Sequence, residues 1–160
     1  IAYDNEKVGE LQGQALLDGM KARFPDAKTY NIELFSGAST DPNAAVFFGG
    51  AMKILQPKID DGTVKVVSGQ TAIAQTQTTG WLAANAQTRM DTLLAGNYSG
   101  TVLNGVLSPN DTLGRAIITS IHVAGDLERV GDMAKTIARR TLQLEGLSLT
   151  PQFHNCVKHI

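Results

Sequence analysis

The sequence predicts an α/β domain in which a parallel sheet is flanked by helices and followed by one long C-terminal helix. Three observations lead there. Short apolar or β-branched runs alternate with helical segments, Gly, Pro, Asp and Ser clusters separate them, and residues from Leu113 to about Leu144 keep a helical period without proline or strand signal. Strands joined through helices of this length pair in parallel, because tight turns can connect only antiparallel neighbours.

Taken in order, Ile1-Ala2-Tyr3 reads as the end of a first strand meeting Asp4-Asn5. Val8, Leu11, Ala15, Leu16, Met20 and Phe24 then recur at helical spacing up to the stop signal Pro25-Asp26. Residues 28–35 read as a strand ended by Ser36-Gly37. Asp41-Pro42 reads as an N-cap followed by proline at the first helical position, where its missing N–H costs nothing. That helix carries Ala45, Val46, Phe48, Met52, Ile54 and Leu55, is weakened by Gly49-Gly50, and is expected to end before Pro57. Residues 63–67, β-branched and bounded by Asp61-Gly62 and Ser68-Gly69, form the clearest strand. A helix is expected from Thr78 to Leu94 with Gly96 as its stop. A fourth strand, Gly105-Val106-Leu107, leads into Ser108-Pro109-Asn110-Asp111, and a helix begins at about Thr112. Its apolar positions include Ile117, Ile121, Leu127, Val130, Ala134 and Ile137, Gly146 is the expected stop, and residues 148–160 read as an irregular tail.

Composition narrows the function classes. The chain of 160 residues is 42% hydrophobic with a formal charge of -1, the profile of one soluble domain with no positive field for nucleic acid. No apolar run reaches the ~20 residues of a membrane span, so no membrane insertion is expected. The lone Cys156 excludes an intrachain disulfide and a cysteine-built zinc site. The chain opens at Ile1 without a leader-like segment, as though cut from a longer protein. No phosphate loop, nucleophile elbow or His-Glu-x-x-His motif is present, so an enzyme is not expected.

In an open parallel sheet, ligands gather beyond the carboxyl ends of the strands. The four expected ends carry Asp4-Asn5, Ser36-Gly37, Ser68-Gly69-Gln70-Thr71 and Ser108-Pro109-Asn110-Asp111. Carboxylates and amides there suit a sugar, since they accept from and donate to adjacent hydroxyls, and Trp81 offers an apolar face for a pyranose ring. Capping is an equal reading of Asp4, Asp41 and Asp111, and a single tryptophan is more often core than platform.

Residues 1–119 resemble the C-terminal lobe of bacterial periplasmic sugar-binding proteins of the ribose, galactose and multiple-sugar receptor type. The motifs are Tyr3-Asp4-Asn5 with Val8-Gly9-x-x-Gln12-Gly13, Gly80-Trp81 with Arg89-Met90-Asp91, and Leu107-Ser108-Pro109-Asn110-Asp111-Thr112-Leu113. The resemblance implies half of a type I periplasmic binding protein, a periplasmic location and a monosaccharide as partner. It makes Asp4, Trp81 and Asn110 the sugar contacts, with Asp111 a weaker one. The opposing lobe and the last strands of this one are absent, so weak or lost sugar binding is expected.

A second resemblance covers about residues 118–155. His122-Val123-Ala124-Gly125-Asp126-Leu127-Glu128-Arg129-Val130-Gly131-Asp132 is similar to the signature helix of PhoU-type phosphate-uptake regulators, cytoplasmic helical bundles whose motif carboxylates hold metal clusters. It implies Glu128 and Asp132 as metal ligands and a divalent or ferric cation as cofactor. These two stand four apart on one helix face as a like-charge pair. A cation would neutralise them, but ion pairing by Arg129 and Lys135, each three positions from Asp132, is the preferred reading.

The expected organisation is thus a sugar-receptor-like lobe over 1–119, a PhoU-like helix over 120–147 continuing the lobe's last helix, and a tail over 148–160. The two families occupy different compartments, and their patterns meet near Leu113 to Ser120, which suggests an engineered chimera, a misassembled reading frame or a natural fusion. The expected function is a noncatalytic carbohydrate-binding fragment of the ABC-transporter type. The alternative is a PhoU-like metal-binding regulatory module of phosphate transport. The long apolar stripe also makes a homo-oligomer through the helix an expectation.

Overall fold

The computed structural model describes residues 3–144. In chain order the elements are α1 (Asn5–Arg23), β1 (Tyr30–Leu34), α2 (Pro42–Asp60), β2 (Val64–Val66), α3 (Ile73–Thr76), a 3-10 turn (Thr79–Trp81), α4 (Ala83–Asn97), β3 (Gly105–Leu107) and α5 (Asp111–Leu144). By contacts the chain divides into two units, Ile1–His122 and Val123–Ile160.

In the first unit three parallel strands lie in the order β2-β1-β3. Tyr30 pairs with Val64 and Ile32 with Val66 on one side of β1, while Ile32 pairs with Gly105 and Leu34 with Leu107 on the other. Successive side chains of a strand face opposite ways, and β1 divides its residues accordingly. Tyr30, Ile32 and Leu34 join Val64, Val66 and Leu107 in a core with Leu17 and Met20 of α1 and Phe48, Ala51 and Leu55 of α2. Phe35 joins Ala86, Met90 and Leu93 of α4 and Leu113 and Ile117 of α5 in a second core on the other face. The sheet is therefore covered on both sides, the arrangement parallel sheets require.

The sequence reading of this α/β class holds, with local corrections. Ile1 and Ala2 of the expected first strand lie outside the described residues, and Tyr3 is not in a strand. The helix after Asp41 continues through Pro57 to Asp60. Proline removes one hydrogen bond to the Lys53 carbonyl, but Lys53 and Pro57 are exposed, so water can satisfy that group. The helix expected from Thr78 starts only at Ala83, because the Thr78 N–H donates to the Ser36 carbonyl (3.0 Å) and Gly80 and Trp81 take left-handed conformations. Gly96 lies inside α4, and the left-handed turn after it falls at Gly100 (φ 84°). The Gly146 stop and the tail from 148 lie outside the described residues.

Two close approaches fix the lobe. Helices α1 and α2 touch backbone to backbone, since a Cβ at Gly9 would overlap the Phe47 carbonyl and one at Gly50 would overlap the Glu6 carbonyl. Glu6 pairs with Lys53, and Asn5 Nδ2 donates to Asn43 Oδ1 (2.7 Å), holding the two N-terminal turns together. On the other face Glu33, fully buried in β1, accepts from Ser68 N (2.9 Å), Ser68 Oγ (2.6 Å) and Tyr98 Oη (2.9 Å). A buried carboxylate tolerates its desolvation only when so bonded. Burial, reinforced by the Glu33 hydrogen bond, pushes the Tyr98 phenol far above its usual range.

Two predictions follow from these contacts. Gly50→Ala is expected to destabilise the chain by about 1–3 kcal/mol through overpacking, whereas Gly49→Ala, which meets open space, stabilises it by about 0.5–1 kcal/mol; urea midpoints measure both. For Tyr98 the folded pKa lies above the unfolded value of about 10. Its contribution is therefore complete below pH 10 and is lost as pH rises further, when only the unfolded phenol ionises. Stability measured from pH 8 to 11 should fall above pH 10 in the parent, and Tyr98→Phe should start about 1–3 kcal/mol lower and fall less steeply.

Candidate functional site

The carboxyl edge of the sheet is where the polar residues singled out by sequence are found. β1 leaves through Ser36 and Gly37, β2 through Ser68, Gly69 and Gln70, and β3 through Ser108, Pro109, Asn110 and Asp111. Gln12 of α1 donates to the Pro109 carbonyl (3.2 Å), which ties the first helix to the β3 exit. Asp4 precedes α1, whose first turn meets the start of α2 through Asn5 and Asn43. Asp4 therefore lies on the same edge as the exits of β1 and β3.

Trp81 is the most constrained residue of this edge. Its indole sits on Gly37, where a Cβ would overlap the ring. The turn that carries it is bound to the β1 exit: Thr78 N donates to Ser36 O (3.0 Å), Trp81 N donates to Thr78 O (3.1 Å), and Ser36 Oγ lies 3.1 Å from Thr76 Oγ1. Trp81 has φ 55°, the one positive φ among described residues other than glycine, and it follows Gly80 at φ 65°. A bulky side chain in the left-handed region is strained by about 1–2 kcal/mol. The ring is half-buried, with Phe35, Ala86 and Met90 in the core beneath it.

The polar residues serve as caps without being used up by capping. Asp4 Oδ1 accepts from Lys7 N (2.9 Å), Asp41 Oδ1 accepts from Asn43 N (2.9 Å), and Asn110 Oδ1 accepts from Leu113 N (2.9 Å). Capping thus falls on Asn110 rather than on Asp111, which is the exposed first residue of α5. Among the described residues Asp4 Oδ2, the Asn110 amide N–H groups and the Asp111 carboxylate make no hydrogen bond within the chain. These are the acceptors and donors that hydroxyl recognition needs.

The sequence reading missed Arg89, which links two strand exits. Its Nη1 donates to the Leu34 carbonyl (2.8 Å), its Nη2 donates to Gln70 Oε1 (2.7 Å), and its guanidinium lies 4.2 Å from the Phe35 ring centre. Burial lowers its pKa, and the buried Glu33 carboxylate opposes that shift. The available signal was a cation placed directly before the fully buried Met90.

The edge is a surface rather than a closed pocket. A cavity between Phe35, Ser36, Phe47 and Pro109 measures about 10 Å³, room for one water. A larger groove of about 300 Å³ runs along β3 between Leu103, Val106, Ile117 and Ile121. It has no charged lining and does not include Trp81, Asp4 or Asp111.

The carboxylates expected to bind metal are found in the second unit, on exposed helix. Lys135 Nζ pairs with Asp132 (3.5 Å), as the ion-pair reading requires, but Arg129 turns to Asp126 (3.5 Å) instead of Asp132. Among the described residues no group of three or more His, Cys, Asp or Glu side chains converges. Glu128 and Asp132 therefore gather no further protein ligands there, and hard cations usually need more oxygens than two side chains supply.

Comparison with known proteins agrees with this geometry. The multiple sugar-binding periplasmic receptor ChvE of Rhizobium radiobacter is 43% identical over 124 residues, covering 77% of this chain and 34% of the receptor. The D-xylose-binding periplasmic protein of Escherichia coli is 36% identical, covering 78% of this chain and 33% of that protein. A solute-binding protein of an ABC transporter from Clostridium phytofermentans, solved with bound β-D-glucose, superposes with a TM-score of 0.70 at 37% identity over 76% of this chain and 38% of its own. The chain thus spans about a third of the length of the relatives it matches. The periplasmic binding protein domain family matches residues 1–138, a span that runs without a break through the expected junction near Leu113 to Ser120 and past Glu128 and Asp132. With its parallel sheet, its flanking helices and this match over most of its length, the chain belongs to the periplasmic binding protein family.

Proposed function

We propose that this chain is the sugar-facing part of one lobe of an ABC-transporter-type binding protein. It presents Trp81 to the face of a monosaccharide and Asp4, Asn110 and Asp111 to its hydroxyls. The observation that carries this reading is the left-handed backbone at Trp81 over Gly37. Backbone strain held by surrounding hydrogen bonds is most often found where a side chain has to be aimed, and this one aims an indole at the sheet edge where α/β ligands bind. The uncommitted Asp4 Oδ2 and Asn110 N–H groups flank it with both hydrogen-bonding senses.

The relatives named for multiple sugars and D-xylose, and the structure holding β-D-glucose, place pentoses and hexoses first among ligands to test. The function is binding without catalysis, and the periplasm is the compartment this reading implies. A surface without an opposing wall leaves much of the sugar hydrated, so affinity is expected at about the millimolar level, near -4 kcal/mol.

Trp81 is the sole tryptophan, so its fluorescence reports on the proposed contact directly. Titration with D-glucose or D-xylose is expected to change its emission saturably in the millimolar range and to shift the Asn110 side-chain amide in NMR spectra. Trp81→Ala should abolish the heat seen by calorimetry. Gly37→Ala, which displaces the indole, should weaken binding about tenfold while the chain remains folded. Unchanged emission and unchanged amide signals on folded protein would refute the reading.

A further inference from the structure

The second unit contains an apolar stripe that the sugar reading does not use. Val123, Leu127, Val130 and Ile137 are 51%, 65%, 57% and 65% exposed on α5, far above what large apolar side chains normally show. Together with Ala134 and Thr141 they follow a strict alternation of four and three residues, the seam of a two-helix coiled coil. The Thr141 hydroxyl donates to the Ile137 carbonyl (3.1 Å), so its polar atom is already satisfied within the helix.

The residues beside this seam select the partner. On one flank stand Ala124, Gly131 and Ala138, and on the other Asp126, Met133 and Arg140, each set at intervals of seven. In an antiparallel pair of identical helices the flanking positions meet their own kind. With Leu127 facing Ile137 and Ala134 facing Val130, the small flank brings Gly131 against Gly131 and Ala124 against Ala138. The other flank brings Met133 against Met133 and Asp126 against Arg140, twice by symmetry. The charges are then complementary at both ends, and the small flank lets the backbones approach. A parallel pair would place Asp126 beside Gly131 and would leave Arg140 without a carboxylate. Within the chain Asp126 already lies 3.5 Å from Arg129, an exposed pair whose carboxylate can accept a second cation. Arg129, Glu128, Asp132 and Lys135 fall outside the seam and its flanks, where they remain hydrated.

We infer that residues 123–141 of α5 pair antiparallel with the same residues of a second copy, Asp126 of each meeting Arg140 of the other. This does not depend on the sugar site. The experiment is sedimentation equilibrium of the full chain with four variants, each checked by circular dichroism. The parent should form a concentration-dependent dimer. Asp126→Lys and Arg140→Glu should each weaken it about tenfold by replacing two attractions with two repulsions, and the double variant, which restores complementarity only in this register, should recover parent affinity. Leu127→Asp should abolish the dimer while leaving the thermal midpoint of the first unit unchanged. A parent that stays monomeric at high concentration, or a dimer indifferent to both charge reversals, would overturn the inference.

Discussion

The pairing of β1 with a parallel neighbour on each side is the constraint from which the rest of the first unit follows. Because it is the middle strand, both of its faces must be covered, and the two-residue period of its side chains decides what covers them. Tyr30, Ile32 and Leu34 look toward α1 and α2, while Phe35 looks toward α4 and the start of α5. Glu33 is the exception on that second face. Its carboxylate is kept inside by Ser68 and Tyr98, which ties β1 to the exit of β2 and to the end of α4. The carboxyl edge inherits its geometry from these fixed strands, so the side chains on its loops rise from a rigid base.

How far this was legible in the sequence depended on the range of the interaction. Residues 63–67 announced a strand because β-branched side chains and flanking turn residues are local signals, and Val64–Val66 is where it lies. Asp41-Pro42 announced a helix start for the same reason. Pro57 misled because the rule against proline inside helices weakens when the orphaned carbonyl faces water. The expected helix from Thr78 failed for a long-range reason. Its first residues are captured by Ser36, about forty positions away in the chain, through hydrogen bonds that no periodicity encodes.

The candidate site divides along the same line. Asp4, Trp81, Asn110 and Asp111 were recognisable as residue types following strand ends, and all belong to the carboxyl edge. What the sequence could not supply was their second employment. Capping and ligand contact looked like rival readings of Asp4 and Asn110, yet each cap uses a single oxygen and leaves the other polar atom of the group unbonded within the chain. Arg89 escaped notice because its partners are the Leu34 carbonyl, Gln70 and the Phe35 ring, which come together only through tertiary packing. Gly37 likewise looked like a turn residue, whereas its role is to make room for an indole.

The outer position of β3 has a consequence of its own. Among the described residues nothing pairs with its far side, and an apolar trough lies alongside, so the lobe displays the kind of border on which foreign strands accrete. The strand is only three residues long and begins at Gly105. So short a template gives an incoming segment few backbone bonds to gain, and brevity here guards against runaway fibre growth.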